Sequence, residues 1–343
     1  MRKLASIQKV LDVVPIEGAD RICSYKIQGW NVVDSVGKYA VGDLVIYCEI
    51  DSFIPTEIAP FLSKGNEPRE YEGIKGERLR TVRLRGTLSQ GLILPLSTIP
   101  ETWNDGVLCS VDDLYSEGED VSELLGIIKY EPPIPASLAG EVKGLFPSFL
   151  RKTDQERIQN LSKEFESFKE YDFEISEKLD GSSCTIYYND GDFGVCSRNL
   201  DLKPNDNNTF WEMCQKYDLE SKLKLLGKNI AIQGEVIGTS IQGNPYKISG
   251  QDFYVFDIYD IDKQEYYNSV ERLHLCESLE LKHVPVIRVC FLTGDSIESL
   301  LEYAEGKSEL NSITEREGLV FKCIQNANLS FKAISNKFLL KEN

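Results

Sequence analysis

Apolar residues in this chain come in runs no longer than a β-strand, and glycine closes many of them. Gly91–Leu96 is among the longest such runs. That pattern excludes a membrane helix, which needs roughly 18 consecutive apolar residues, and it favours many short strands over long helices. The first twenty residues mix Arg2, Lys3, Asp12 and Glu17 among apolar positions, so no secretory segment is expected. Nine cysteines are scattered without a Cys-x-x-Cys pair, and His274 and His283 are the only histidines. This set argues against zinc and for free thiols in a reducing, intracellular compartment, cytoplasmic or nuclear.

At 343 residues the chain is long enough for two domains. In the first half, Ala5–Val14, Arg21–Ile27, Trp30–Val33, Asp43–Glu49, Arg78–Leu84 and Leu88–Leu94 read as strands, with Gly18, Gly29, Gly37, Gly42 and Gly86 as turns. Residues 1–130 are therefore expected to form a small OB-like β-barrel. Glu131 and the prolines 132, 133 and 135 open a linker over 131–150. Residues 151–343 form the second domain, where strands again outnumber helices. Helices are expected at Thr153–Tyr171, Asp206–Leu226, Ser269–Glu280 and Asp295–Lys307. Strands are expected at Phe173–Leu179, Ser183–Tyr188, Phe193–Ser197, Ile230–Val236, Tyr254–Tyr259, Val284–Val289, Leu319–Cys323 and Leu329–Leu340. Asn189-Asp190-Gly191 is a hairpin turn. The fold class is α+β, built on antiparallel sheets.

The formal net charge of −17 looks hostile to nucleic acid. Neither half is basic: residues 1–150 carry 15 basic and 22 acidic side chains, and the rest 23 and 33. One stretch runs the other way, with Lys75, Arg78, Arg80, Arg83 and Arg85 against Glu77 alone. It is either a solvated strand edge or a phosphate-contact surface. An acidic balance is compatible with an enzyme that holds a divalent cation among carboxylates.

The chemistry centres on Glu177-Lys178-Leu179-Asp180-Gly181-Ser182-Ser183, where a strand ends before a hairpin. A lysine here suits a covalent nucleophile, and Gly181 with short serines leaves room for a ligand. A free lysine is neutral in only about one molecule in a few thousand at pH 7. Carboxylates alone would worsen this, whereas a bound dication reverses the sign. A nucleophilic Lys178 therefore requires acids arranged to hold metal rather than to pair the amine. Asp180, Glu235 and Glu317 are available at strand ends. Singly each is weak: Lys178 could be a surface ion-pair partner, and each acid a solvated loop end.

The ordered series is more specific. Lys178-x-Asp180-Gly181, Ser197-Arg198-Asn199, Gln233-Gly234-Glu235, Phe253–Asp257, Glu317–Lys322 and Lys332 resemble, in order, six motifs of the covalent nucleotidyltransferases. These are the ATP-dependent DNA and RNA ligases and the mRNA-capping guanylyltransferases. The resemblance spans about residues 170–340. With the N-terminal module, including Gly18–Ile22 and Arg83–Gly86, the chain looks most like the Naegleria RNA ligase group. This implies an antiparallel-sheet nucleotidyltransferase (ATP-grasp-like ligase) domain behind the OB-like barrel.

The resemblance implies the following roles. Lys178 attacks the α-phosphorus of ATP to form lysyl-AMP, and Lys332 binds the α-phosphate. Glu177 reads the adenine amine, Phe256 stacks on the base, and Ser183 lines the nucleotide site. Arg198 touches the ribose or the incoming 5′-phosphate, and Glu235 touches the ribose or the metal's waters. Asp180, Glu235 and Glu317 hold Mg2+ or Mn2+. The expected partner is RNA with 3′-OH and 5′-phosphate ends, joined by a monomer during RNA repair. A GTP-using capping enzyme and a non-catalytic RNA-binding module are the alternatives.

Two departures from the pattern stand out. Ile334 occupies the place of a second lysine after Lys332, so that Lys332 acts alone or is helped by Lys322 or Lys337. Few residues follow Lys332, whereas DNA ligases continue into a C-terminal OB domain that orients pyrophosphate. Arg80, Arg83 and Arg85 are therefore expected to supply pyrophosphate or RNA contacts. Phe146–Leu150 and Arg151–Asp154 resemble the entry to the transferase domain in this RNA ligase group, which implies either that Lys152 or Arg157 touches substrate phosphate or that the segment is a plain hinge with a helix N-cap at Thr153 or Asp154.

Overall fold

The computed structural model describes residues 3–100, 103–104, 107–108, 115–131, 141–292 and 294–341. The chain divides into two compact units. One comprises Met1–Pro132, Ile158–Lys163 and Leu339–Asn343; the other comprises Pro133–Arg157 and Glu164–Phe338. The expected linker at 131–150 falls partly on residues 132–140, outside the described residues. Among the described residues no helix is long and apolar enough to cross a membrane.

The first unit is a curved five-stranded antiparallel sheet in the order Leu92–Leu94, Leu44–Cys48, Ala5–Ile16, Ala19–Ile27, Trp30–Ser35. Its longest strand serves two partners. Ala5–Lys9 pairs with Leu44–Cys48, and Val10–Ile16 pairs with Ala19–Ile27. The register slips between Val10 and Asp12, and that bulge bends the sheet into part of a barrel. Ala5, Ile7, Ile46, Cys48, Ile54, Leu94, Val121 and Leu125 fill its core. A smaller sheet, Ile128–Lys129, Ser52–Pro55, Ile74–Arg78, Arg69–Tyr71, lies in the same unit.

The expected strand Arg78–Leu84 is two strands. Leu79 is buried and exchanges backbone hydrogen bonds with Asp51 and Ser52, so the chain leaves one partner there. It then starts a hairpin of Thr81–Leu84 with Thr87–Gln90, turned by Arg85 and Gly86, both at positive φ. Leu88–Leu94 divides likewise at Gly91. A Cβ there would lie 2.6 Å from the Cys48 carbonyl oxygen, so only glycine lets the chain cross onto the Leu44–Cys48 strand.

The second unit holds two sheets. The larger runs Val142–Leu145, Leu200–Leu202, Asp192–Cys196, Ser182–Asn189, Ile230–Gly238, Gln251–Asp260, Glu265–Tyr266, with Lys282–His283 added in parallel to Gln251–Asp260. Phe210, Trp211, Met213, Leu219 and Leu223 from two helices, Thr209–Lys216 and Leu219–Leu226, pack on Ile186, Ile230, Ile232, Phe253 and Val255. The smaller sheet runs Glu156–Arg157, Ser330–Ile334, Gly318–Cys323, Asp172–Lys178, Val286–Phe291. Phe168, Phe173, Phe321 and Phe331 stack along one of its faces.

Three further expected elements are corrected. Thr153–Tyr171 is not one helix: it is a two-residue strand at Glu156–Arg157, a 3-10 turn at Ile158–Leu161 and one helical turn at Phe165–Phe168. Arg157, Ile158 and Gln159 are consecutively buried, which a single apolar helix stripe does not allow. Asp206–Leu226 breaks at Asp218, whose φ is +49°. Leu329–Leu340 is a strand only to Ile334; the Ser335 hydroxyl then accepts from the Phe338 N–H, and a helix runs over Asn336–Lys341.

All eight described cysteines are free thiols. Seven are buried and Cys290 is partly buried; Cys109 lies outside the described residues.

Candidate active site

Register places the chemistry on one face of the smaller sheet. Lys178, Ser176 and Glu174 stand opposite Gly318, Val320 and Lys322, and Val320 stands opposite Lys332. Opposed residues share a face, so Lys178, Lys322 and Lys332 project together while the phenylalanines fill the reverse side. Leu179-Asp180-Gly181 then carries the chain from this sheet into the larger one at Ser182, where Ser183 is opposite Glu235. A Cβ on Gly181 would sit 2.5 Å from the Val236 carbonyl oxygen and 2.9 Å from Glu235 Cγ, so glycine brings the nucleophile turn against Glu235.

Lys178 Nζ pairs with Glu317 Oε1 at 2.7 Å. Burial pulls the lysine pKa down, but the charges of Glu317, Glu235 and Asp180 outweigh it and the net shift is upward. Burial pushes Glu235 up to about 8, with Glu317 and Asp180 adding to the rise and Lys178 opposing it. Three acidic side chains thus act on one ammonium, and Glu317 pairs the amine directly instead of standing off it as the sequence reading required.

The oxygen-only donor set of Asp180, Glu235 and Glu317 suits a hard divalent cation. In the present arrangement no three His, Cys, Asp or Glu side chains among the described residues are close enough to ligate one ion.

Glu177, next to the nucleophile, is 1% exposed. Its Oε2 accepts from the Glu309 N–H at 2.8 Å, whereas its Oε1 is buried with no hydrogen-bond partner. Burial raises its pKa, opposed by the Ser308 hydroxyl, the Glu309 N–H and Arg316. An isolated buried acceptor of this kind fits a ligand N–H donor. Arg316 itself is buried and donates to the carbonyls of Tyr303, Ala304 and Glu305, which fixes the chain just before Glu317.

Lys322 lies beneath the half-buried Phe256. Its ammonium is bound by Asp257 and by the Phe256 carbonyl, and it lies 6.0 Å from the centre of the Phe256 ring. Behind it Arg272, 2% exposed, bonds to Glu174 and to His283 Nε2. Lys337 instead pairs with Glu305 at 2.7 Å. Both lysines are thus paired with acids in this arrangement, Lys322 partly buried and Lys337 exposed, and Ile334 is 3% exposed. Arg157 stands beside Lys332 in parallel register.

Arg198 and Lys152 come together at the exposed edge of this unit: Arg198 pairs with Asp154 at 2.8 Å, and Lys152 bonds to Asn199 at 2.8 Å. In the first unit, Arg80 and Arg83 line a cavity of about 480 Å3 together with Arg69, Glu77, Arg78 and Val82. Arg78 is held there by Asp51 at 2.6 Å and packs on Tyr130, while Arg85, at the hairpin turn, is absent from the lining.

Sequence reasoning did not identify Arg69, Ser308, Glu309, Gln242 or Tyr246. Tyr246 Oη accepts from the Asp180 N–H at 2.5 Å, and Gln242 Nε2 donates to the Gly181 carbonyl at 3.2 Å. Their loop carries the turn-favouring Gly243-Asn244-Pro245.

An RNA ligase family model matches residues 172–335, and an OB-fold domain model matches residues 4–96. No curated protein sequence matches. Among solved structures, Naegleria gruberi RNA ligase with pyrophosphate is 45% identical, covers 99% of this chain and 98% of its own, and superposes with a TM-score of 0.90. A mutant of that ligase with AMP and Mn is 44% identical, with coverage of 100% and 99% and a TM-score of 0.91. Another, with ATP and Mn, is 44% identical, with coverage of 99% for both chains and a TM-score of 0.90. Full-length identity at this level, on a fold that carries the lysine and acid constellation described above, makes this chain a member of the RNA ligase family, an enzyme with an N-terminal OB-fold domain and a nucleotidyltransferase domain.

Proposed function

We propose that this ligase consumes ATP and joins a 3′-hydroxyl to a 5′-phosphate, at nicks in duplex RNA, during intracellular RNA repair. The observation that supports it most is the convergence of Lys178 with Asp180, Glu235 and Glu317: as they stand the acids raise the lysine pKa, and a dication taking the lysine's place among them would free the amine for attack. Lys178 Nζ attacks the α-phosphorus, the bond to pyrophosphate breaks, and a lysyl-AMP phosphoramidate forms. The RNA 5′-phosphate then takes the AMP to give AppRNA and frees the lysine. Attack by the 3′-hydroxyl forms the phosphodiester and releases AMP.

The side chains divide this work. Glu177 Oε1 receives the adenine amine, Phe256 covers the base, and Ser183 borders the nucleotide. Lys332 neutralises the α-phosphate, and Arg198 meets the ribose or the 5′-phosphate. Asp180, Glu235 and Glu317 would hold Mg2+ or Mn2+, which when bound lowers the lysine pKa and offsets phosphate charge. Arg80, Arg83 and Arg85, with Lys152, serve as pyrophosphate or RNA contacts. The working division is a 1–130 module, a 131–150 linker and a 151–343 transferase, acting as a monomer.

Incubation with α-labelled ATP or GTP, on wild type and Lys178→Ala, tests the reading. Wild type should gain one AMP and the variant none, and AppRNA and sealed product should follow on nicked RNA. A GMP adduct without an AMP adduct would establish a capping enzyme instead, and no adduct with either nucleotide would leave a non-catalytic module.

A further inference from the structure

The loop from Thr239 to Gly250 has an unusual backbone. Ser240, Gln242, Asn244 and Lys247 all lie at positive φ, between +46° and +67°, a region costly for side-chain-bearing residues. Four such residues in eight need external anchoring, and the loop has it. The Pro245 carbonyl accepts from Asn311 Nδ2 at 2.9 Å and from Thr314 Oγ1 at 2.6 Å. Asn244 closes the loop on itself through both the N–H and the carbonyl of Ile248. Tyr246, 4% exposed, packs with Leu179, Ile237, Tyr254 and Val284.

What this arrangement presents is two polar groups aimed at main chain. Tyr246 Oη takes the Asp180 N–H, and Gln242 Nε2 caps the Gly181 carbonyl. Both targets lie in the turn that leaves Lys178. Asp180 and Gly181 belong to no strand, so these contacts do for the turn what a ladder does for its flanks.

We infer that Tyr246 is a positioning residue for lysine adenylylation: through the Asp180 amide it fixes the turn that aims the Lys178 amine and the Asp180 carboxylate, and Gln242 assists it. This rests on the adenylylation chemistry proposed above. Near-attack geometry is steep in rate, so a loosened turn costs turnover more than nucleotide binding.

Tyr246→Phe removes only the acceptor oxygen and keeps the packed ring. Hydrogen–deuterium exchange of the nucleotide-free protein should show faster exchange in the peptide covering residues 179–183, with thermal stability within a few degrees of wild type. Single-turnover adenylylation should slow by about 10- to 100-fold, with half-saturating ATP changed less than about threefold. Gln242→Ala should move both readouts in the same direction, by less. Unchanged exchange in Tyr246→Phe overturns the inference, as does unchanged rate, or a loss appearing wholly in half-saturating ATP. If wild type itself forms no adduct, the proposed function fails, while the exchange readout still reports on the brace.

Discussion

Replacing Glu177 with glutamine tests how the nucleotide base is read. Its two oxygens are inequivalent: one is taken by the Glu309 N–H and the other, buried, has no partner. Glutamine can keep a carbonyl oxygen toward Glu309, but it turns an amide N–H2 toward the position where an adenine amine would sit, so donor meets donor. A hydrogen bond to a charged group contributes about 1.5–3 kcal/mol, which converts to roughly a 10- to 150-fold loss of ATP affinity. Calorimetric titration in a Lys178→Met background, which blocks adduct formation, measures binding alone. Guanine offers a carbonyl at the same position, so GTP affinity should hold or improve. ATP affinity within about twofold of the parent would refute the reasoning. Equal weakening of both nucleotides would refute it too, because it would locate the damage in the Ser308–Glu309 loop instead.

The remaining predictions concern the scaffold. Burial and Arg272 hold His283 neutral, with its pKa lowered to about 4. A group depressed in the folded state contributes stability above its unfolded value near 6.5, and that stability is lost as pH falls toward 4. The gap is worth on the order of 3 kcal/mol, so urea denaturation across that window should show wild type losing more stability than His283→Gln. Arg272→Met leaves Glu174, 1% exposed and with Oε2 already unpartnered, as an uncompensated buried charge. It should cost about 3–5 kcal/mol in the same assay. Gly318→Ala places a Cβ 2.3 Å from the Ala333 carbonyl oxygen, so it should lower Tm and suppress adduct formation by displacing Glu317.

Much of the nucleotidyltransferase unit was legible because the functional residues sit on strands with strong local patterns, Lys178 and Glu317 at strand ends and Glu235, contrary to expectation, inside Ile230–Gly238. Glu235 and Glu317 each abut glycine and Lys178 lies three residues before Gly181, and register then brings them together. What stayed hidden depends on contacts distant in sequence. Thr153–Tyr171 carries apolar residues at helical spacing, yet Gln159 is held through its carbonyl by the Gly29 N–H, a partner 130 positions away. Arg78–Leu84 alternates cleanly, but alternation does not reveal that the partner strand changes at Leu79. Tyr246 reads as an ordinary loop aromatic, since its bond to Asp180 spans 66 positions. Pairing of Lys178 with Glu317 was also beyond the motif pattern, which names the residues without the distance between them.

The sealed-off sulfurs have an experimental consequence. Burial pushes the Cys48 thiol up to about 12 and the Cys276 thiol up to about 11, and it raises Cys184, Cys196 and Cys214 as well. Alkylation at such positions must wait until the surrounding segment opens, because a protonated, enclosed thiol is a poor nucleophile. The native chain thus carries its own stopwatches: Cys48 times breathing of the OB-fold half and Cys214 times breathing of the transferase half, with no engineered label needed in either.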